Sequence, residues 1–583
     1  MKANYARAGG VAGAAIAALL LSGCNPAPKY ARPPAQAPTA FKEAAPQEYK
    51  EDQGWRPARP GDDRIRGKWW EIYNDPQLSA LEEQVQTQNQ TIAQAEATFR
   101  QARALVVSAR SQLYPTLGTS PSYTNTRTSR TARGAFVVGN SGGATTTTSS
   151  SGTNTGTTTS GTGTGNGNGN SSGISGSTAV GGTSNSGVFN NFAFPLDVSY
   201  EVDLWHRVRN TVAQDQYSAQ ASAADVATAL LSMQAELAQD YFEVRALDAQ
   251  RKILEETVAN YRQTLQLTVS LYQTGIDSEE EVAQAQTQLD TTTAQETDLG
   301  VSRANFEHAI AVLTGRPPAT FSLRVAPFRP NPPEVPVAVP SELLERRPDI
   351  AAAERRVAAS NAAIGIARAA YYPNLTLSAS GGFQTSQFSQ WFNWPSRFWS
   401  LGPTLSQTLF DAGARRGATE QAEAFYDASV ASYRGAVLSA FQSVEDQLSA
   451  LTILSKEAAQ EQTAVTSASR YLDLALTRFK TGVESYLNVI TAQTALLSNR
   501  ETELQVQLRQ MTASVSLVMA LGGGWEPAQL PQMKDLTARP PHWKPAAESP
   551  LAPVGAPAAP NPPSLPANLA VPSGPVTSSQ SNR

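Results

Sequence analysis

The chain has 583 residues, of which only 16% are charged, and its formal net charge is −4. Basic residues are interspersed with similar numbers of acids, so no basic patch for a nucleic-acid partner is predicted. Three histidines and one cysteine leave few residues for metal binding or nucleophilic catalysis, and a single cysteine excludes disulfides within the chain. Because the HExxH, P-loop and GxSxG motifs are also missing from the sequence, we expect that the protein is not an enzyme.

The N-terminus of the chain has the pattern of a bacterial secretion signal. Basic residues precede an apolar run, 11–21, that is too short to span a bilayer stably. The run ends in Leu-Ser-Gly-Cys at Cys24, which resembles the bacterial lipobox, after which the cysteine becomes the acylated first residue. We therefore predict a lipoprotein signal peptide at 1–23 and a covalent lipid on Cys24. Asn25, which follows the cysteine, favours the outer membrane over retention at the inner membrane.

Composition divides the remaining chain into a folded body between two low-complexity ends. Residues 24–65 are rich in Pro and Ala and predict an extended, lipid-anchored tether. Residues 525–583 have a similar composition and predict a disordered periplasmic tail. Inside the body, a Pro-rich connector at 316–340 separates a first segment, 66–315, from a second, 341–524.

The two body segments carry copies of one pattern, which predicts a tandem internal repeat. A motif around Gly275 recurs around Gly482 at an offset of 207, whereas the Tyr-Pro motif at Tyr114 recurs at Tyr372 at an offset of 258. One insertion in the first copy explains why the two offsets differ. The uncharged Gly/Ser/Thr/Asn tract at 139–187 accounts for nearly all of it. We predict that each copy comprises a helix, a strand hairpin and a long helical hairpin.

Long helices and short strands are both predicted from local patterns. Residues 205–274 contain neither Gly nor Pro, and a helix over them would approach ~100 Å at about 1.5 Å per residue. Apolar and polar residues alternate over 192–204 and again over 399–409, with weaker strands at 375–379 and 117–123. Such segments are typical of outer-membrane strands with one face toward lipid. A soluble half-buried sheet would show the same alternation, and the helices alone would also fit a coiled-coil lipoprotein.

The order of these elements, with several short motifs, resembles the TolC-like outer-membrane efflux family, and in particular its lipoprotein branch of NodT-type outer-membrane factors. The motifs are Trp69-Trp70, Tyr200-Glu201-Val202-Asp203-Leu204-Trp205, Leu409-Phe410-Asp411 with Gly413, and the motifs around Gly275 and Gly482. The resemblance covers about 69–524 and implies a mixed α and β membrane protein. Three protomers would each give four strands to a twelve-stranded outer-membrane β-barrel, continuous with a long periplasmic α-helical barrel. Four strands cannot close alone, which agrees with a homotrimer.

The resemblance also implies roles for individual residues. It places the tract 139–187 in an extracellular loop, and it places the two helical tips in the periplasm, where relatives meet an adaptor protein and carry a gate. The tips that would contact the adaptor comprise Tyr272, Gly275, Ser278, Phe479, Gly482 and Ser485. The gate or pore constriction would comprise Glu279, Glu280, Glu281, Leu487, Asn488 and Thr491. Asn488 and Thr491 stand where relatives commonly have Asp, and the three glutamates would equally suit a solvated helix start that the helix dipole favours.

The function that the resemblance implies is a passive exit duct of a tripartite efflux system. An inner-membrane pump, of the resistance-nodulation-division type, would deliver substrates through a periplasmic adaptor. Two alternatives stay open, namely a non-conducting structural envelope lipoprotein and the exit duct of a type I protein secretion system. No catalytic residue, metal site or cofactor other than the lipid on Cys24 is expected.

Overall fold

The computed structural model describes residues 25–35, 38, 41–42, 67–127, 188–333 and 345–536. The helices are α1 (Pro76–Gln88), α2 (Gln90–Ser111), α3 (Arg207–Gln273), α4 (Glu279–Leu313), α5 (Pro348–Ala369), α6 (Ala414–Lys480), α7 (Tyr486–Ala520) and the short α8 (Met533–Leu536). The strands are β1 (Thr116–Thr119), β2 (Ser122–Arg127), β3 (Val188–Val202), β4 (Asn374–Thr385) and β5 (Arg397–Ser406). The predicted signal peptide, Cys24 and the tract 139–187 lie outside the described residues. In the described part of the chain, no helix combines the length and the apolar character that a membrane span requires.

The helices recur in matched lengths. Helices α3 and α6 have 67 residues each, α4 and α7 have 35 each, and α2 and α5 have 22 each. In the first two pairs, the helices are separated by the same offset as the Gly275 and Gly482 motifs, and α5 follows α2 at the offset of the two Tyr-Pro motifs. A 67-residue helix is about 100 Å long, which confirms the length predicted from the breaker-free run. The two longest helices therefore set the long dimension of the molecule.

The strands form one antiparallel sheet in the order β1/β2, β3, β4, β5. Strands β1 and β2 both pair with β3, so they form one edge strand that is interrupted at Ser120-Pro121, where proline removes a ladder donor. The predicted strands are confirmed, although β4 is longer than expected and the weakest one is split. Gly382 lies opposite Pro195, and a Cβ there would meet the Phe194 carbonyl oxygen at 2.0 Å, so the close approach of β3 and β4 requires glycine.

The helical core is built around α3, which packs against α2, α4, α5 and α7. One apolar cluster joins the 3-10 turn Trp69–Tyr73 and α1 to the middle of α3 and to α7. A second cluster joins α5, α6 and the end of α7. Because apolar side chains of both halves enter the first cluster, the helices of the two copies share an interior.

Described residues of the predicted tether, connector and disordered tail instead pack on the helices. Phe41, in the predicted tether, is buried against Phe441 of α6. Leu323, in the predicted connector, is also buried. Leu536 is fully buried in a small cluster with Val106, so the prediction of disorder from residue 525 onward was wrong up to α8. One or a few large apolar residues in each segment supply this burial, and an average over the composition of the segment does not reveal them.

Candidate functional site at the helical hairpin tips

Each long helical hairpin ends in a turn built around a glycine. Gly275 follows α3 and Gly482 follows α6, and both have left-handed backbone angles, with φ values of 79° and 72°. Their N–H groups donate to the carbonyl oxygens of Tyr272 and Phe479, each over 2.9 Å, and so close the last helical turn. Because a side chain in this conformation would be strained, the sequence Thr-Gly at both sites fixes where the helices reverse.

The two tips meet along a small apolar cluster. The rings of Phe479, at the end of α6, and Tyr486, at the start of α7, are each only 1% exposed and lie 5.6 Å apart. Burial raises the pKa of Tyr486 to about 12, so its hydroxyl stays protonated at physiological pH. Ala285 of α4 and Val489 of α7 complete the buried contact between the hairpins. The tips therefore form one packed unit in which each hairpin supports the other.

A cavity of about 410 Å³ opens between the tips. It is lined by Leu271, Ile276, Asp277, Ser278, Glu281, Phe479, Gly482, Val483, Glu484 and Ser485. Asp277 and Glu484 occupy equivalent positions in the two tips, yet neither was singled out from the sequence. Their shared offset, the same one that relates Gly275 to Gly482, was the signal that could have identified them.

Five of the six predicted tip residues are exposed, and Tyr272 has 44% of its surface accessible. Phe479 differs, because its ring is buried against Tyr486. A buried ring offers no surface to a partner, so, contrary to the prediction, the Phe479 side chain is not placed to contact one. Its apolar ring holds the tips together instead.

The three predicted acidic residues occupy different environments. Glu279 and Glu280 are exposed, whereas Glu281 is partly buried in the cleft. The Tyr486 N–H donates to Glu281 Oε1 over 3.5 Å, a long bond that joins the first hairpin to the start of α7. Burial, followed by the nearby Glu281 carboxylate, raises the pKa of Asp277 above the usual aspartate range. Asp277 and Glu281 therefore face the second hairpin, whereas Glu279 and Glu280 remain in solvent.

The other predicted gate residues lie on the first turns of α7. Leu487 is 60% exposed in the single protomer. The Asn488 side chain donates to Glu484 Oε1, and the Thr491 hydroxyl donates to the Leu487 carbonyl oxygen over 2.9 Å. Glu484 is also paired with Arg478, Nε to Oε2, over 3.3 Å. The polar side chains at the start of α7 are thus engaged within their own hairpin, and Leu487 is left as an outward apolar side chain.

Comparison with known sequences identifies the family. The chain matches the model described as outer membrane efflux protein over residues 81–316 and 339–523. It is 33% identical over 351 residues to the solvent efflux pump outer membrane protein SrpC of Pseudomonas putida, covering 60% of this chain and 74% of that protein. It is 29% identical over 514 residues to the pyoverdine export outer membrane protein OpmQ of Pseudomonas aeruginosa, covering 88% of this chain and 96% of OpmQ.

Solved structures share the fold. The outer-membrane channel OprN superposes with a TM-score of 0.71 at 26% identity, covering 86% of this chain and 100% of OprN. The CmeC outer membrane channel of Campylobacter jejuni gives the same score at 20% identity, covering 88% of this chain and 97% of CmeC, and at that identity it supports the fold alone. With the family model matched over 81–316 and 339–523, the chain belongs to the outer membrane efflux protein family, and it is an efflux channel protein and not an enzyme.

Proposed function

We propose that this chain is one protomer of a trimeric, passive exit duct that receives substrates from an inner-membrane pump through a periplasmic adaptor. The observation that carries the proposal is the sheet. Among the described residues, its outer strands β1/β2 and β5 each have one unpaired edge, and four strands are too few to close a barrel. Three copies would supply twelve strands and leave a lumen continuous with the helices.

The exposed apolar side chains of the sheet support its placement in the outer membrane. Large exposed aromatic residues lie near the end of β5 that is remote from the helices, with Trp394 at 72% and Trp399 at 80% exposure. At the other end, Leu409 and Phe410 are 89% and 86% exposed. Ten strand residues at about 3.3 Å each, tilted by about 40°, cross roughly 25 Å, the height of the apolar band of an outer-membrane barrel.

The position of the N-terminal segment supports a lipid anchor on Cys24. The Asn210 side chain donates to Asn25 Oδ1 over 3.1 Å, and Asn210 lies in the first turn of α3. The residue that follows Cys24 therefore lies beside the junction of strand β3 and helix α3, which is the membrane end of the helices in this proposal. An acyl chain on Cys24 would reach the inner leaflet and add about 0.8 kcal/mol per buried CH₂.

At the opposite end, the exposed tip residues Tyr272, Gly275, Ser278, Gly482 and Ser485 are proposed to contact the adaptor. In a trimer, three copies of Leu487 would form an apolar ring that resists wetting, and the cluster Glu279–Glu281 would favour cations. Opening would require the hairpins to move apart. An adaptor that binds the open arrangement more tightly would drive that change.

The proposed substrates are small molecules chosen by the pump, since the relatives named above serve solvent and pyoverdine efflux. Single-channel recording of the purified protein in planar bilayers, with chemical cross-linking of the same sample, tests the proposal. A trimer with discrete conductance steps is expected. An intact trimer without conductance would support a structural envelope lipoprotein and contradict the duct.

A further inference from the structure

A segment that sequence composition predicts as a free tether runs along the outside of three helices. We define the N-terminal strap as the described residues 25–35, 38 and 41–42. Its first part contacts α3 and α5. The Asn361 side chain of α5 donates to the Pro28 carbonyl oxygen over 3.0 Å, and the rings of Tyr30 and Tyr217 lie 6.3 Å apart.

The groove beneath this part of the strap is shaped for close approach. Gly365 of α5 lies directly under Ala27, and a Cβ on Gly365 would meet the Ala27 Cβ at 2.5 Å and the Asn210 side-chain nitrogen at 2.6 Å. Ordinary contacts between such atoms begin at about 3.5 Å, so any side chain at 365 would push the strap away. The strap and the Asn210 side chain of α3 together therefore explain glycine at this helical position.

Polar contacts attach the middle of the strap to both α5 and α6. The Tyr30 hydroxyl donates to Glu354 Oε1 over 2.5 Å, and Arg32 Nε donates to the Tyr433 hydroxyl over 3.2 Å. Burial and the adjacent Glu354 carboxylate raise the pKa of Tyr30, so its hydroxyl remains a donor. Tyr433 is itself only 1% exposed, so packing holds its hydroxyl, the acceptor, in place.

The far end of the strap is held by an apolar anchor. Phe41 is 6% exposed, and its ring lies 6.5 Å from that of Phe441 on α6. The Lys42 N–H donates to Glu445 Oε1 over 2.8 Å. Glu445 lies near the middle of α6, and the polar contacts of the strap with this helix run from Tyr433 to Glu445, about 18 Å at roughly 1.5 Å per residue. The strap contacts that the structure describes end there, and the second half of α6 continues to the tip.

We propose that the N-terminal strap is a brace that fixes α5 and α6 against α3 from the sheet to Glu445, so that α6 bends only beyond this point. Its N-terminal end, next to the predicted lipidation site, joins helices from both halves of the chain, and its other end is held on α6. The inference concerns where the helices move and requires neither the trimer nor the adaptor.

Hydrogen–deuterium exchange of the full-length protein in lipid nanodiscs tests the brace. Deleting residues 28–42 is expected to raise exchange about tenfold in α6 from 414 to 445, as local opening becomes easier, and to leave 446–480 within about twofold of the wild type. Gly365→Ala should produce the same pattern in milder form. The double variant Gly365→Ala with Ala27→Gly should restore protection in part, because it removes the contact with the strap and leaves only the contact with the Asn210 side chain.

The matched control is Lys29→Ala, since Lys29 belongs to the strap but is exposed. Its exchange should equal that of the wild type. Wild-type protection of 414–445 in the deletion variant would overturn the proposal, because the strap would then merely cover a surface. A uniform rise along the whole of α6 would also overturn it, since general destabilisation has no boundary at Glu445. If the deletion variant does not fold, the Gly365→Ala pair gives the same two readings.

Discussion

A buried ion network links the first hairpin to the connector. Asp248 of α3 accepts from Arg245 Nη1 over 3.1 Å and from Arg303 Nε of α4 over 2.8 Å. The Arg245 and Asp248 side chains are 3% and 2% exposed, so solvent screens neither charge. The two arginines also donate to the connector, Arg245 to the Arg324 carbonyl oxygen and Arg303 to the Leu323 carbonyl oxygen. Asp248 is therefore the central acceptor between two helices and the connector.

Asp248→Asn removes the charge but keeps the size of the side chain. Leaving one partner of a buried pair uncompensated costs about 3–5 kcal/mol. At roughly 2.1 cal/mol/K per residue of unfolding entropy, the melting temperature of this large body should fall by about 3–5 °C. Because the connector loses its attachment, limited proteolysis should also cut near Leu323 first. Circular dichroism in detergent and mass spectrometry of the fragments measure the two effects.

The control is Glu420→Gln, which removes an exposed pair between Arg416 and Glu420 on α6. Their side chains are 81% and 63% exposed, and such pairs contribute at most about 0.5 kcal/mol. The control should melt with the wild type. A melting temperature and cleavage pattern for Asp248→Asn that match those of the control would refute the argument that this network holds the connector.

Four further expectations concern single sites and one loop. His206→Gly should stabilise the protein by about 1 kcal/mol in thermal unfolding, because His206 has a left-handed φ of 58° where the second copy has Gly413. Glu82 is fully buried without a described hydrogen-bond partner, and burial raises its pKa well above the usual range. The folded protein therefore holds this proton more tightly than the unfolded chain, and wild-type stability should fall as pH rises from acid toward neutral. Glu82→Gln should flatten that fall in melting curves. Leu487→Ser should raise resting conductance in planar bilayers, and an unchanged conductance in an intact trimer would remove Leu487 from the gate. Deleting 139–187 should leave assembly and efflux largely intact in drug-susceptibility assays, because closure entropy depends only weakly on loop length.

Much of the architecture follows from local sequence. The absence of Gly and Pro over 205–274 determines a 67-residue helix, and the glycines at 275 and 482 determine where the long helices reverse. Period-two alternation located β3 and β5 within a few residues. These features depend on backbone conformations that neighbouring residues decide, so they can be read without knowledge of the packing.

The tertiary structure decided which side chains meet. Nothing local distinguishes Phe479, which is buried, from Tyr272, which is exposed in the matching tip, because the difference comes from the packing of one hairpin on the other. Composition assigned 24–65 to a tether, whereas Phe41 and Gly365, which are far apart in the sequence, together define a docked strap. The network around Asp248 has uncharged residues, Ser455 among them, at the corresponding positions of the second copy, so the repeat could not predict it. Such contacts join residues that are distant in sequence, and their free energy exists only when the whole bundle has brought them together.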